Sequence, residues 1–261
     1  MKKILLDKIP SDIPPVMHKL IDGAKIYDSS CSPEAQVYFI DRDGGCFLKK
    51  SAVGTLKNEA MMDSFFHSKG LGSEVIEYIT EEHDWLLTRR VRGEDMTHSE
   101  YLGNPNRLCD TLAELLRTLH ETDYTGCPIA DRTADYLAYG ERNYRAGCFD
   151  TSLFPDGCDW RCADDAWRFI DDNRSTLKSD TLIHGDYCLP NVMLDDWRFS
   201  SFIDLGNGGV GDRHIDLFWG AWTLRYNLKT DEYRERFFDA YGRDRVDRDT
   251  LRLISAIELF G

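Results

Sequence analysis

The hydrophobic period of this chain changes once, and that switch constrains the fold more than any other feature. Up to about residue 91 the apolar residues fall in short runs, AQVYFID (35–41), CFLKK (46–50), EVIEYIT (74–80) and WLLTRRV (85–91). Their β-branched and aromatic side chains suit pleated strands. The turn Asp43-Gly44-Gly45 makes a hairpin of the first two, the acidic Glu81-Glu82-His83-Asp84 separates the last two, and a helical stretch over about 54–68 lies between the pairs. Beyond Gly93, which reads as a hinge, the spacing becomes three and four. Asn104-Pro105 supply a cap and first-turn proline, followed by Leu108, Leu112, Leu115, Leu116 and Leu119. Helical patterns recur near 131–146, 163–177, 212–228, 231–241 and 247–259, while 181–204 holds short apolar runs broken by polar turns. Strands first and helices after predict an α+β, two-lobed arrangement: a small β-rich lobe over 1–92 and a larger α-helical lobe over 93–261.

Composition narrows the partners. The 261 residues are 42% apolar, enough for a real core, and carry a net charge of −14. That balance argues against nucleic acid held through its phosphates and suits a cationic small molecule. No run approaches the roughly 18 apolar residues of a membrane span, and Asp7 interrupts the N-terminal stretch where a signal peptide would continue. The expectation is a cytoplasmic protein with no membrane partner. Eight cysteines are scattered, with one C-x3-C at Cys158 and Cys162 and no second pair to complete a zinc tetrahedron, so they read as reduced packing thiols.

The segment LIHGDYCLPNVML (182–194), followed by FIDLG (202–206), carries the chemistry. Asp186, Asn191 five residues later, and Asp204 at the end of the next strand form an arrangement suited to holding a hydroxyl and magnesium-bound phosphates. Phosphoryl transfer needs a carboxylate to accept the attacking hydroxyl's proton and hard oxygen ligands for Mg²⁺, which an Asn carbonyl and a second Asp supply. Val192-Met193-Leu194, the turn Asp195-Asp196-Trp197 and a return over 199–203 predict a hairpin between the two.

These segments, together with SPEAQVYFI (32–40), FLK (47–49), LHETDYTGCPI (119–129), SSFIDLGNGGVGDRHIDL (200–217) and ISAIELF (254–260), resemble the aminoglycoside phosphotransferases, and more closely their 3′-phosphotransferase branch. The resemblance implies a protein-kinase-like fold that moves the γ-phosphoryl group of ATP or GTP to a hydroxyl of an aminoglycoside, conferring resistance. Carried over by position, it implies that Asp186 is the catalytic base and that Asn191 and Asp204 ligate Mg²⁺. Lys49 matches the lysine that contacts nucleotide phosphates, Glu59 its carboxylate partner, Ser32 a serine of the phosphate-covering loop, and Arg90 and Val91 the hinge beside the purine. His184 and Asp216 match residues that organise the catalytic loop, and His120, ending the leucine-rich helix, reads as a structural residue. Strand alternation independently places Lys49 on the face of Phe47, opposite Lys50.

An aminoglycoside carries several ammonium groups, so its site should be a cleft of carboxylates. The candidates are Asp150, Asp156 and Asp159 in the loop CFDTSLFPDGCDW, Glu258 in the last helix, and the matched Arg225. Three positions depart from the family: Ile257 and Asn207 replace an aspartate and an arginine, and Tyr226 an acid. Loss of those carboxylates keeps open a kinase of the same fold with another acceptor, such as a peptide antibiotic, a macrolide, or an amino or sugar alcohol. A nucleotide-binding pseudokinase is a weaker rival, because Lys49, Asp186, Asn191 and Asp204 are all present. The chain is expected to act as a monomer or weak dimer.

Overall fold

A computed structural model describes residues 4–6, 10, 12–30, 35–154 and 156–261. The chain folds as two compact units, one of residues 1–93 with 193–206, the other of 94–192 with 207–261.

The first unit is built on β1 (Ile4–Leu5), α1 (Pro15–Ile21), β2 (Lys25–Asp28), β3 (Gln36–Asp41), β4 (Cys46–Ser51), α2 (Lys57–Ser68), β5 (Val75–Thr80) and β6 (Asp84–Arg89). Its six strands form an antiparallel sheet in the order β1-β2-β3-β4-β6-β5. Alternation divides the sheet residues between two faces. Leu48 and Leu87, paired across β4 and β6, pack with Met17 and Ile21 of α1. Leu86, on the opposite face, packs with Leu56 and Ala60 at the start of α2. Lys49 pairs in register with Leu86, so β4 aims it at the α2 face.

The second unit holds β7 (Glu94–Asp95), α3 (Ser99–Leu102), α4 (Pro105–His120), α5 (Arg132–Arg145), α6 (Ala163–Asn173), β8 (Thr181–Ile183), β11 (Gly209–Gly211), α7 (Arg213–Leu228), α8 (Tyr233–Tyr241) and α9 (Arg248–Ile257). The leucines spaced along α4 bury Leu108, Leu112, Leu116 and Leu119. Asp131, Asp212 and Asp247 cap α5, α7 and α9 by accepting backbone N–H bonds. Trp167, Ile170, Ile183, Ile254 and Phe260 share one core.

The hairpin of β9 (Val192–Asp195) and β10 (Arg198–Phe202) falls almost entirely in the first unit. Residues 193–206 follow the second segment in sequence but group with the first unit. The reason is local: the Phe202 N–H bonds the Leu71 carbonyl at 2.8 Å, and its ring packs edge-on against Phe66 at 6.2 Å. Asp196 and Trp197 both take left-handed φ values, 49° and 63°, in the two-residue turn. Gly93, at φ 87°, lies against the Leu194 carbonyl oxygen, which would be 1.9 Å from any Cβ there. Other boundaries move slightly. The helix expected to 177 ends at Asn173 in a tighter 3-10 turn, the one expected to 259 gives way to another over Glu258–Phe260, and the strand expected to 91 ends at Arg89.

Candidate active site

In the second unit, β8 ends at Ile183 and the chain turns through His184-Gly185-Asp186. Asp216, wholly buried in the first turn of α7, holds that turn: Oδ2 accepts from the His184 N–H and Oδ1 from the Gly185 N–H, each at 2.7 Å. His120 completes the clamp with Nε2 3.1 Å from Asp216 Oδ2 and Nδ1 2.8 Å from the Tyr241 hydroxyl. Burial lowers the pKa of His120 against the opposing pull of Asp216, so it is a neutral spacer. His184 is equally buried and accepts the Asp186 N–H on Nδ1 at 3.3 Å. Gly185 has φ 81°, and a Cβ would meet the Asn207 carbonyl oxygen at 1.9 Å, so only glycine fits.

This scaffold fixes Asp186 and Asn191 to one another. The Asn191 Nδ2 group donates to the Asp186 carbonyl at 3.0 Å and to its carboxylate Oδ2 at 2.9 Å. With its amide hydrogens engaged there, Asn191 presents a carbonyl oxygen as its remaining polar group.

The first unit supplies the other charged cluster. Lys49 Nζ lies 2.9 and 2.8 Å from the two Glu59 oxygens and 2.8 Å from Asp204 Oδ1. Burial alone would favour the neutral amine, yet the two carboxylates win and push the Lys49 pKa above its ordinary value, so the lysine is a fixed cation. Asp204 follows β10 at φ 62°, a left-handed conformation uncommon outside glycine, and its side chain is 52% exposed. One turn beyond Glu59, Asp63 is 3% exposed, and among the described residues its Oδ1 has no hydrogen-bond partner. Burial, reinforced by Glu59, pushes its carboxyl well above the usual carboxylate range. Sequence reasoning missed Asp63. Its i, i+4 spacing from Glu59 was the available signal.

The remaining expectations scatter. Ser32 lies outside the described residues; the flanking Ser29 N–H bonds the Val37 carbonyl and the Ser30 hydroxyl accepts the Val37 N–H. Arg90 is exposed just past β6, its guanidinium 5.7 Å from the Phe39 ring centroid and its N–H on the Gly45 carbonyl, and Val91 follows in open chain. Among the acidic candidates, Asp150 accepts from the Ser152 N–H and hydroxyl, Asp156 pairs with Arg225, and Asp159 pairs with Arg252 at 2.7 Å. Glu258 is 5% exposed, and its Oε1 accepts from the Tyr136 hydroxyl at 2.7 Å and the Trp219 indole at 2.9 Å. Burial, only partly offset by those two donors, raises its pKa to about 7, with the Asp186 charge adding to the rise. Asp156, Asp159 and Arg225 line one pocket of the second unit, whereas Asp150 and Glu258 do not line it. Tyr226 stacks on Trp222 at 4.9 Å, and Asn207 Oδ1 accepts from Arg132 at 2.6 Å.

Comparison with known proteins decides the family. Residues 33–254 match the phosphotransferase enzyme family. The chain belongs to it. A probable aminoglycoside 3′-phosphotransferase of Lactococcus lactis subsp. lactis (strain IL1403) is 50% identical over 261 residues, 99% of this chain and 97% of the relative. The aminoglycoside 3′-phosphotransferase of Streptomyces fradiae is 29% identical over 250 residues, covering 91% of each chain. The crystal structure of a type VIII aminoglycoside 3′-phosphotransferase superposes with a TM-score of 0.72 at 26% identity, covering 94% of this chain and 97% of that one. A Streptomyces rimosus phosphotransferase in complex with ADP and streptomycin shares the fold, with a TM-score of 0.71 at 22% identity over 86% of this chain and 90% of its own. The kinase-like α+β fold and the phosphotransferase activity expected from the sequence both stand. Among the described residues no helix is long and apolar enough to cross a membrane.

Proposed function

We propose that this chain transfers the γ-phosphoryl group of ATP or GTP to a hydroxyl of an aminoglycoside in the cytoplasm, the 3′-hydroxyl being the expected acceptor, and so confers resistance. The observation that carries this reading is the Asp186–Asn191 pair, held rigid by Asp216. Asp186 Oδ2 is fixed by the Asn191 amide, which orients the carboxylate to accept a proton from the attacking hydroxyl. The high sequence identity to the Lactococcus relative, over nearly the whole chain, supports the acceptor class.

The donor set suits Mg²⁺, which takes oxygen ligands: the Asn191 carbonyl oxygen and the half-exposed Asp204 carboxylate would hold it. Bound there, the ion would neutralise the charge of the transferred phosphoryl group. Lys49, kept cationic by Glu59, would exchange its contact with Asp204 for nucleotide phosphates. The open backbone at Arg90 and Val91 is the proposed purine contact, and Ser32 the proposed contact in the loop over the phosphates. Glu258, ionising near neutrality, is the acid we assign to an acceptor ammonium, together with Asp150, whose N–H bonds the carbonyl of the neighbouring Leu259 at 2.8 Å.

A second reading, another hydroxyl acceptor on the same machinery, rests on Asp156 and Asp159 being already paired with arginines. Turnover of purified protein with Mg²⁺ and ATP or GTP, against aminoglycosides that bear or lack the 3′-hydroxyl, separates the two. Turnover confined to 3′-hydroxyl compounds is the expected result. Nucleotide binding with no turnover across the panel would overturn the acceptor assignment.

A further inference from the structure

Helix α7 grips the catalytic turn twice. Asp216 is one point, and the second lies two helical turns along the same side, at Thr223. Thr223 is fully buried, and its Oγ1 accepts the Leu189 N–H at 3.2 Å. Asn227, one turn further, donates through Nδ2 to the Thr223 carbonyl at 2.8 Å and to the same Oγ1 at 3.2 Å. A helical threonine often turns its hydroxyl back to the carbonyl four residues before it. Here the oxygen serves as acceptor for two N–H groups.

That double acceptance fixes where the protons point. A hydroxyl has two acceptor lone pairs and one proton, so Thr223, with both lone pairs engaged, has its proton left to donate. The partner is Cys188, 8% exposed, whose side chain hydrogen-bonds both Thr223 and Asp186. A carboxylate only accepts, so between Cys188 and Asp186 the thiol is the donor. A free cysteine is already mostly protonated at neutral pH, and burial, reinforced by the Asp186 charge, pushes the Cys188 thiol well above its usual range. The chain of donors therefore runs from the Thr223 hydroxyl to the Cys188 sulfur and from that sulfur to Asp186, whose Oδ2 already takes the Asn191 amide.

Cysteines inside a protein are ordinarily packing residues. Cys109, Cys127 and Cys158, buried or partly so, donate to backbone carbonyls at 3.5, 3.4 and 3.2 Å. Cys188 differs in meeting the carboxylate assigned to the reaction. Given Asp186 as the group that takes the acceptor's proton, the reading proposed above, we propose that Thr223 and Cys188 are positioning residues for phosphoryl transfer. The hydroxyl directs the thiol proton onto the Asp186 carboxylate, and the thiol and the Asn191 amide together turn that carboxylate toward the acceptor hydroxyl. The turn itself has other holds, the Tyr187 hydroxyl on the Leu112 carbonyl at 2.8 Å and the Met96 N–H on the Leu189 carbonyl at 3.2 Å, so loss of the thiol leaves it in place.

The test takes two readouts on the full chain: the Asn191 side-chain amide resonances of the ¹⁵N-labelled protein, and steady-state turnover with Mg²⁺, ATP or GTP and an aminoglycoside bearing the 3′-hydroxyl. Cys188→Ala and Thr223→Val should each shift the amide and lower kcat by about 10- to 100-fold, with both KM values changed by less than about threefold. Cys188→Ser and Thr223→Ser, which keep a proton donor, should hold kcat within about threefold of the unmodified chain. In Cys188→Ala/Thr223→Val the two losses should not multiply, because both variants remove the same donor from Asp186. Thr133→Val removes another buried hydroxyl, one that accepts the Asp212 N–H at 2.9 Å, and should leave both readouts unchanged even where it lowers the melting temperature. An unmoved amide, an unchanged kcat in Cys188→Ala, multiplying losses in the double variant, or an equal loss in Thr133→Val would each overturn the proposal. Absence of turnover by the unmodified chain would strike the acceptor assignment instead, and the amide, which needs no turnover, would decide the donor chain.

Discussion

The turn that carries Asp186 and the loop over residues 147–162 both belong to the second unit and are both acidic, yet they are built in opposite ways. Around Asp186 the polar groups are buried and tied to one another: Asp216 has no exposure and takes two backbone N–H bonds at 2.7 Å. Along the loop each aspartate is exposed, capping its own turn or pairing with a surface arginine. Buried, hydrogen-bonded charge is costly to disturb and so fixes geometry, whereas exposed pairs contribute little and can be exchanged. On the proposed function, the chain holds its reaction chemistry rigidly and leaves recognition adjustable.

The comparison breaks most visibly at Asp216. Asp216→Ala would leave the His184 and Gly185 N–H groups unpaired in the core, with an expected stability loss of about 2–4 kcal/mol and a fall in kcat of about 100-fold from misplaced Asp186. Denaturant unfolding and steady-state kinetics measure the two. Lys49→Met should follow, because it strands Glu59 in a buried position. We expect a loss of about 1–3 kcal/mol, with the nucleotide KM rising more than the acceptor KM.

Asp63 sharpens the rule that a buried polar group needs a partner. Asp63→Leu should stabilise the protein by about 1–3 kcal/mol at pH 8. The sign follows from proton linkage. With its native pKa raised, Asp63 holds a proton that the unfolded chain has released, so stability falls as pH rises from about 4 to the raised native value. The leucine variant should show a shallower decline over that window in a series of urea melts. At the other extreme, Asp159→Ala should change the acceptor KM by less than about threefold, and raising ionic strength should reproduce much of that change.

What the sequence disclosed follows the same divide. The Asp186–Asn191 bond spans five residues, a spacing visible in the chain, whereas Lys49 was singled out by the family resemblance and strand alternation gave only its face. The leucine period marked α4 to within a residue or two. The arginine pairs of Asp156 and Asp159 span 69 and 93 residues, and no local pattern encodes them. The isolation of Asp63 depends on what α2 packs against. Helix α1 went unread because a proline-rich stretch precedes it, although Pro15 opens the helix and Met17 and Ile21 are fully buried.

The most direct test of the central claim sets Asp186→Asn beside the double variant Asp156→Ala/Asp159→Ala, in a nucleotide-coupled assay with an aminoglycoside bearing the 3′-hydroxyl. The account predicts that Asp186→Asn lowers kcat by about 10²–10⁴ with an unchanged melting temperature, while the double variant alters KM modestly and keeps kcat. Substantial turnover in Asp186→Asn would contradict it.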